Sequence, residues 1–245
     1  MKNWNVIHFE DIDSTNAEAK RRAREGLRES TLFVADRQSA GRGRMDRKWE
    51  SPSGAGLWMT QLFAPENIPA KDAGGAVFIS AAALAETLRE ITGAPVMVKW
   101  PNDLVLNGKK ICGMLAECGF ESDKCAWIAL GTGLNLKKDA LPAELIYASS
   151  IEAETDMQLS ADDILPRYLA AFDSICAAWQ TEGLGAVIAR IRPLSATIGS
   201  DVRVDGEYAK ALDMDSDGAL VCRFADGVRR VLAGDVSVRG ITDYV

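Results

Sequence analysis

The sequence predicts an α+β fold: a mixed, largely antiparallel sheet with helices packed on it, followed by a small C-terminal β-barrel. Three observations carry this reading. Apolar runs of strand length recur through the first 135 residues, and two of them flank Asn107-Gly108, a strong hairpin signal because both positions must accept positive φ. Two long stretches, 73–91 and 160–182, carry apolar residues at helical spacing. From Ala196 the chain changes to short strands separated by Asp-Gly turns, the pattern of a five-stranded barrel. The expected division is 1–193 and 194–245. The second unit is near the lower size limit for independent stability, so it is expected to pack on the first.

In chain order, residues 4–9 alternate as a strand. Thr15 with Glu18 three residues on fits a capping box, and a helix with Ala19, Ala23 and Leu27 on one face follows to Gly26. Residues 31–35 and 55–63 read as buried strands on either side of a cationic loop. The Ala- and Leu-rich helix at 73–91 ends at Gly93. The stretch 95–118 reads as strand, tight turn, strand, hairpin turn, strand, with Pro101 fixing its own φ and holding Trp100 extended. Residues 125–130 form another buried strand running into Gly131-Thr132-Gly133-Leu134-Asn135, where a turn is the simpler expectation. Residues 139–155 are irregular with a short helix. Ser160 and Asp163 cap the second long helix, Gly183 stops it, and a short helix ends before Pro193. Barrel strands fall at 201–204, 209–214, 219–224, 228–232 and 235–239.

Composition narrows the function. Net charge is -7, which argues against a broad nucleic-acid or anionic-membrane surface. The five cysteines form no CxxC pair and read as reduced core residues. There is no signal pattern and no apolar run long enough to span a bilayer, so a cytoplasmic protein is expected. The single histidine, His8, sits in an alternating strand and cannot supply a multi-histidine metal site.

Three stretches carry candidate chemistry. Asp13-Ser14-Thr15-Asn16 caps a helix and offers short donors and acceptors to a polar ligand. The run Gln38-Ser39-Ala40-Gly41-Arg42-Gly43-Arg44-Met45-Asp46-Arg47-Lys48-Trp49 concentrates cations among glycines on an acidic chain, which suits anion binding. It matches neither the Walker phosphate loop nor the dinucleotide fingerprint. Lys99-Trp100-Pro101-Asn102-Asp103 and Lys110-Ile111-Cys112-Gly113 sit on strand ends and tight turns, a rigid frame for a pre-organised site.

Together these stretches, with Gly131-Thr132-Gly133-Leu134-Asn135 and Ala233-Gly234-Asp235-Val236-Ser237-Val238-Arg239, resemble the biotin–protein ligases. The resemblance covers nearly the whole chain in order. It implies a sheet like that of class II aminoacyl-tRNA synthetases and an SH3-like C-terminal barrel. It also implies a two-step reaction: biotin and ATP give biotinyl-AMP, then a lysine of a biotin carboxyl carrier domain takes the biotinyl group. By this resemblance Ser14, Thr15, Gln38, Gly41, Arg42, Arg44, Lys110, Gly113, Gly131 and Gly133 face biotin, and Asn102, Asp103 and Asn135 face the nucleotide. Lys110 is the expected central cation, chosen over Lys109 by its spacing to Gly113, and Arg44 acts with it. Mg2+ is expected with no ligand residues assigned. The family's loop has glycine where this chain has Asp46. The chain begins directly at the catalytic unit, which implies a stand-alone ligase without a DNA or membrane partner; a homodimer is compatible with the resemblance, and the sequence does not set the oligomeric state. The alternatives are a lipoate-type acyl-adenylate ligase and a non-catalytic nucleotide- or nucleic-acid-binding module.

Overall fold

The structure, a computed structural model, describes residues 3–66, 68–138, 140–142, 144–233, 238–240 and 244. Seven strands build the main sheet: β1 (Asn5–Ile12), β2 (Thr31–Gln38), β3 (Gly56–Phe63), β4 (Met97–Lys99), β5 (Asp103–Leu106), β6 (Lys109–Glu121) and β7 (Lys124–Asn135). Their order is β1-β2-β3-β7-β6-β5-β4, with β1 and β2 parallel and every other neighbouring pair antiparallel. The mixed, largely antiparallel sheet expected from sequence is therefore observed. The parallel pair exists because α1 (Thr15–Arg24) crosses over between β1 and β2.

Strand alternation divides the sheet into two faces. Leu57, Met59, Ile128, Leu130 and Leu134 point into the larger core with α2 (Ala76–Thr92), α4 (Ala161–Glu182) and α5 (Leu184–Ile191). Phe33, Leu62, Trp127 and Ala129 point the other way, against Ala19 and Ala23 of α1. The run of buried alanines in α2 lets that helix lie close on the sheet. Gly93 ends α2 in the left-handed conformation, with its N–H on the Arg89 carbonyl. Asp163 accepts from the Ser160 N–H at 2.8 Å, the expected capping box of α4.

Two local expectations need correction. The cap of α1 is Ser14, whose hydroxyl faces the Ala17 N–H, and not Thr15; Glu18 turns outward to Arg21 and Arg22. Thr15 is unavailable as a cap because its hydroxyl bonds to Gln38 across the chain. Gly131 to Asn135 is not a turn. It continues β7, paired residue for residue with β3.

The C-terminal sheet comprises β8 (Asp201–Val204), β9 (Glu207–Met214), β10 (Leu220–Phe224), β11 (Gly227–Val231) and β12 (Val238–Gly240), in the order β11-β10-β9-β8-β12. Five strands were expected, but the sheet is open among the described residues, with β11 and β12 at opposite edges rather than paired into a barrel. The expected strand at 235–239 lies partly outside the described residues, as does the stretch 234–237 of the family-like C-terminal run. This sheet docks on the β4 end of the main one. Ala196 N–H bonds to the Val98 carbonyl at 2.9 Å, and the buried Trp100 indole donates to the Gly218 carbonyl at 2.9 Å. Among the described residues no helix is long and apolar enough to cross a membrane.

Gly218 sits at φ +87 with Phe78 where a Cβ would lie, 2.4 Å away. Gly218→Ala is therefore expected to lower stability by about 2 kcal/mol through strain and overpacking together. Urea denaturation checks this, and an unchanged midpoint would deny that this contact sets the docking.

Candidate active site

The site begins with alternation on β6 and β7. On the α1 face, strand positions that elsewhere carry side chains are reduced to Gly113, Gly131 and Gly133. Each is needed. A Cβ at Gly131 would stand 2.4 Å from Asn16 Oδ1, and at Gly133 it would stand 2.4 Å from Trp49 Nε1. The stripped face, roofed by residues 42–50 and bordered by the start of α1, leaves a cavity of about 280 Å³. Its wall includes Ser14, Thr15, Gln38, Arg42, Arg44, Asn102, Asp103, Lys110 and Asn135 with the three glycines. Of the residues assigned to biotin or the nucleotide by resemblance, only Gly41 is absent from that wall. It lies behind, where a Cβ would meet the Trp49 carbonyl at 2.4 Å, and its carbonyl accepts the Trp49 N–H at the neck of the loop.

One end of the cavity is a neutral polar box. Gln38 Oε1 accepts from the Thr15 N–H at 2.9 Å and from the Thr15 hydroxyl at 3.1 Å, while its amide nitrogen donates to Ser51 at 2.9 Å. These bonds fix the amide's orientation. Thr60 Oγ1 donates to Asn16 Oδ1 at 2.7 Å and lies 2.8 Å from the Thr15 hydroxyl. Asn16 in turn donates to Glu117 at 3.0 Å, and Lys20 and Arg42 close round that carboxylate. Burial alone would push Glu117 up, but Lys20, Asn16 and Arg42 hold it below the usual carboxylate range.

The other end is ionic. Lys110 Nζ meets Asp103 Oδ1 at 2.7 Å, and Tyr244 donates its hydroxyl to the second oxygen of Asp103. Lys110 also stands 5.1 Å from the centre of the Trp49 ring. Lys109 points elsewhere, to Glu154 at 3.0 Å. Arg44 reaches back from the loop to Asn102 Oδ1 at 3.1 Å, and Asn102 is itself fixed by donating to the Met114 carbonyl at 2.8 Å. Lys99 is nearly buried beside these groups, donating to the Val238 carbonyl at 3.0 Å with the Tyr244 ring 4.2 Å away. A cationic end facing a neutral hydrogen-bonding end suits a ligand with one polar uncharged head and one anionic tail.

The loop is closed on itself. Arg42 pairs with Lys48 across its neck, and Gly43 N–H bonds to the Arg47 carbonyl at 2.7 Å. Met45 and Asp46 turn its tip with φ of 56° and 54°. Glycine would take that conformation without cost; aspartate tolerates it better than most residues. Asp46 returns a contact, its carboxylate 3.5 Å from Arg42.

Several wall residues were not singled out from sequence. Thr60 had a signal, a polar residue inside the apolar run of β3. Lys99 and Trp49 stood inside motifs but were given no role. Asn16 stood in the capping turn read as facing a polar ligand but was assigned no partner, and Tyr244 had no local pattern at all. No group of three or more acidic, histidine or cysteine side chains that could hold a metal occurs among the described residues. Asp103 is already engaged by Lys110 and Tyr244, so these residues do not build a resident metal site.

Comparison with known proteins gives the following likenesses. Residues 8–135 match the model of the Biotin/lipoate A/B protein ligase family. The chain is 31% identical to the biotin–[acetyl-CoA-carboxylase] ligase of Paracoccus denitrificans, over 93% of this chain and 98% of that protein. It is 30% identical to the bifunctional ligase/repressor BirA of Bacillus subtilis, over 95% of this chain and 74% of that protein. Among solved structures, the biotin protein ligase of Aquifex aeolicus in complex with biotin and ATP superposes with a TM-score of 0.83 at 26% identity, covering 96% of this chain and 99% of that one.

Burial pushes the Lys99 ammonium down to about 8, with Asp103 opposing and Lys110, Arg239 and Arg44 adding to the shift. Lys99 is thus charged below that pH and neutral above it. Calorimetric titration with tripolyphosphate is expected to show binding that weakens severalfold as pH rises through this range. In Lys99→Gln that pH dependence should be lost; a titration curve of unchanged shape would remove Lys99 from the cationic end.

Proposed function

Since the chain belongs to the Biotin/lipoate A/B protein ligase family, we propose that it activates biotin as biotinyl-5'-AMP and transfers it to a lysine of a biotin carboxyl carrier domain. The chain is a biotin–protein ligase. The single observation that carries the finer reading is the polarity of the cavity: a fixed neutral box at one end and Lys110, Arg44 and Asn102 at the other. The box of Thr15, Gln38 and Thr60 fits the uncharged ureido ring. Ser14, Gly131 and Gly133 shape the space beside it. The valeryl chain then runs over the glycine-stripped sheet towards Lys110.

The chemistry follows from charge. A carboxylate and a triphosphate repel each other, and the reaction must bring carboxylate oxygen onto the α-phosphorus. Lys110 and Arg44 hold both anions, and Lys110 faces the oxygens on which charge builds as the O–P bond forms and pyrophosphate leaves. Asp103, Asn102 and Asn135 serve the nucleotide side, and magnesium enters with ATP as part of the substrate. In the second step a carrier lysine, as the free amine, attacks the acyl carbon; the C–O bond to AMP breaks and the amine proton leaves with solvent. Arg42 and Arg44, at the base of the closed loop, keep water and stray amines from the mixed anhydride until then. The net charge of -7 supports the absence of a duplex-DNA partner.

Exchange of labelled pyrophosphate into ATP tests the first step: it is expected to require biotin, and exchange independent of biotin would count against the ligase reading. Exchange supported by lipoate instead would favour the lipoate-type alternative. Lys110→Ala should suppress exchange by roughly 10²–10³-fold with far-UV circular dichroism unchanged. Near-normal turnover would remove Lys110 from the reaction. Arg44→Ala should release biotinyl-AMP into solution, seen as indiscriminate labelling of bystander lysines, while retention as tight as wild type would exclude the loop as a lid.

A further inference from the structure

Glu154 stands outside the cavity wall, on the short helix α3 (Ile151–Thr155), and no motif marks it. Its side chain is 8% exposed, yet it takes three donors from two other segments, the 107–109 hairpin and Ser149. Ser149 Oγ at 2.6 Å and Lys109 Nζ at 3.0 Å meet Oε1, and Asn107 Nδ2 at 2.9 Å meets Oε2. Burial would push its carboxyl up, but the bonds from Ser149, Asn107 and Lys109 outweigh that and hold it below the ordinary range. A half-buried carboxylate so fully engaged is costly to leave half satisfied, so the 107–109 hairpin, Ser149 and α3 are tied together.

Those segments carry the reacting end of the site. Strand β7 stops at Asn135, and beyond it residues 147–149 complete the edge of β6. Lys110 N–H bonds to the Tyr147 carbonyl at 2.7 Å, and Ser149 N–H returns to the Lys110 carbonyl at 2.8 Å. Asn135 donates to the Ser149 carbonyl at 2.9 Å, while its own buried Oδ1 has no hydrogen-bond partner among the described residues. Leu145 and Ala148 of the same segment line the cavity. We propose that Glu154 is a positioning residue, acting through Ser149 and Lys109 to fix the backbone of Lys110 and the amide of Asn135 against the nucleotide end. The inference rests on the ligase reading above.

Glu154→Gln keeps the shape but offers an amide N–H to groups that are already donors, so at least one bond must break. In the biotin-dependent exchange assay this variant is expected to lose activity roughly ten- to hundredfold, mainly as a raised KM for ATP. The dissociation constant for biotin without nucleotide should stay within about twofold, because the polar box is untouched. Ser149→Ala should show part of the same loss, and the double variant no more than Glu154→Gln alone. An unchanged KM for ATP, or losses that simply add, would overturn the proposal. Absent biotin-dependent exchange in the wild type would instead reject the ligase reading. Amide hydrogen exchange at Lys110 and Ser149 would then decide the clamp separately: faster exchange in Glu154→Gln supports it, and equal rates refute it.

Discussion

The site depends on the register of β6 against β5. Asp103 pairs with Gly113 and Leu104 with Cys112, but the next pair is Val105 with Lys110, so Ile111 is an inserted residue. Ile111 and Cys112 are both fully buried in the same core, two consecutive residues on one face, as at a β-bulge. Regular alternation would place Lys110 and Gly113, three residues apart, on opposite faces of the sheet. The bulge brings them to one face, and the space for a Cβ on Gly113 lies 3.1 Å from Lys110 Nζ. The Asn107-Gly108 turn then holds the register, with φ of 50° and 77°. A slip of one residue would aim Lys109 into the cavity and bury Lys110 among apolar side chains.

That register makes the ion pair of Lys110 with Asp103 a matter of strand pairing rather than chance encounter. Exposed ion pairs contribute about 0–1 kcal/mol. Here Asp103 is 6% exposed, and removal of its partner would leave a desolvated charge. The pair is therefore better understood as fixing the Lys110 ammonium in the cavity wall than as a source of stability. Opposite it, the Thr15, Gln38 and Thr60 box offers neutral donors and acceptors whose directions are fixed by their mutual bonds. Charge at one end and neutral hydrogen bonding at the other give the cavity a direction.

The far parts of the chain are drawn to the same place. Tyr244 reaches Asp103, Val238 accepts from Lys99, and Trp100 ties the adjoining strand end to Gly218 of the C-terminal sheet. Glu154 gathers the hairpin turn, β6 and residue 149 from a position outside the wall. The C-terminal sheet, whatever else it contacts, thus closes the cationic end of the main unit. Among the described residues β12 lies at one edge of that sheet, with the Val238 carbonyl on Lys99, and β11 at the other.

By itself the sequence determined what local rules control. Hairpin and capping residues placed the strands, α4 and the Asn107-Gly108 turn, and apolar periodicity placed α2. The motif residues identified the family and most of the cavity wall, and the spacing to Gly113 separated Lys110 from Lys109. Tertiary structure decided what depends on pairing between distant segments. It moved the α1 cap to Ser14 because Gln38 takes the Thr15 hydroxyl, and it carried β7 through Gly131 and Gly133 because β3 lies alongside. It also placed β11 and β12 at opposite edges of the C-terminal sheet among the described residues and brought Tyr244 to Asp103. Above all it set the bulge at Ile111. Local propensity has no term for a mismatch between two strands, and only their pairing shows which face a side chain takes.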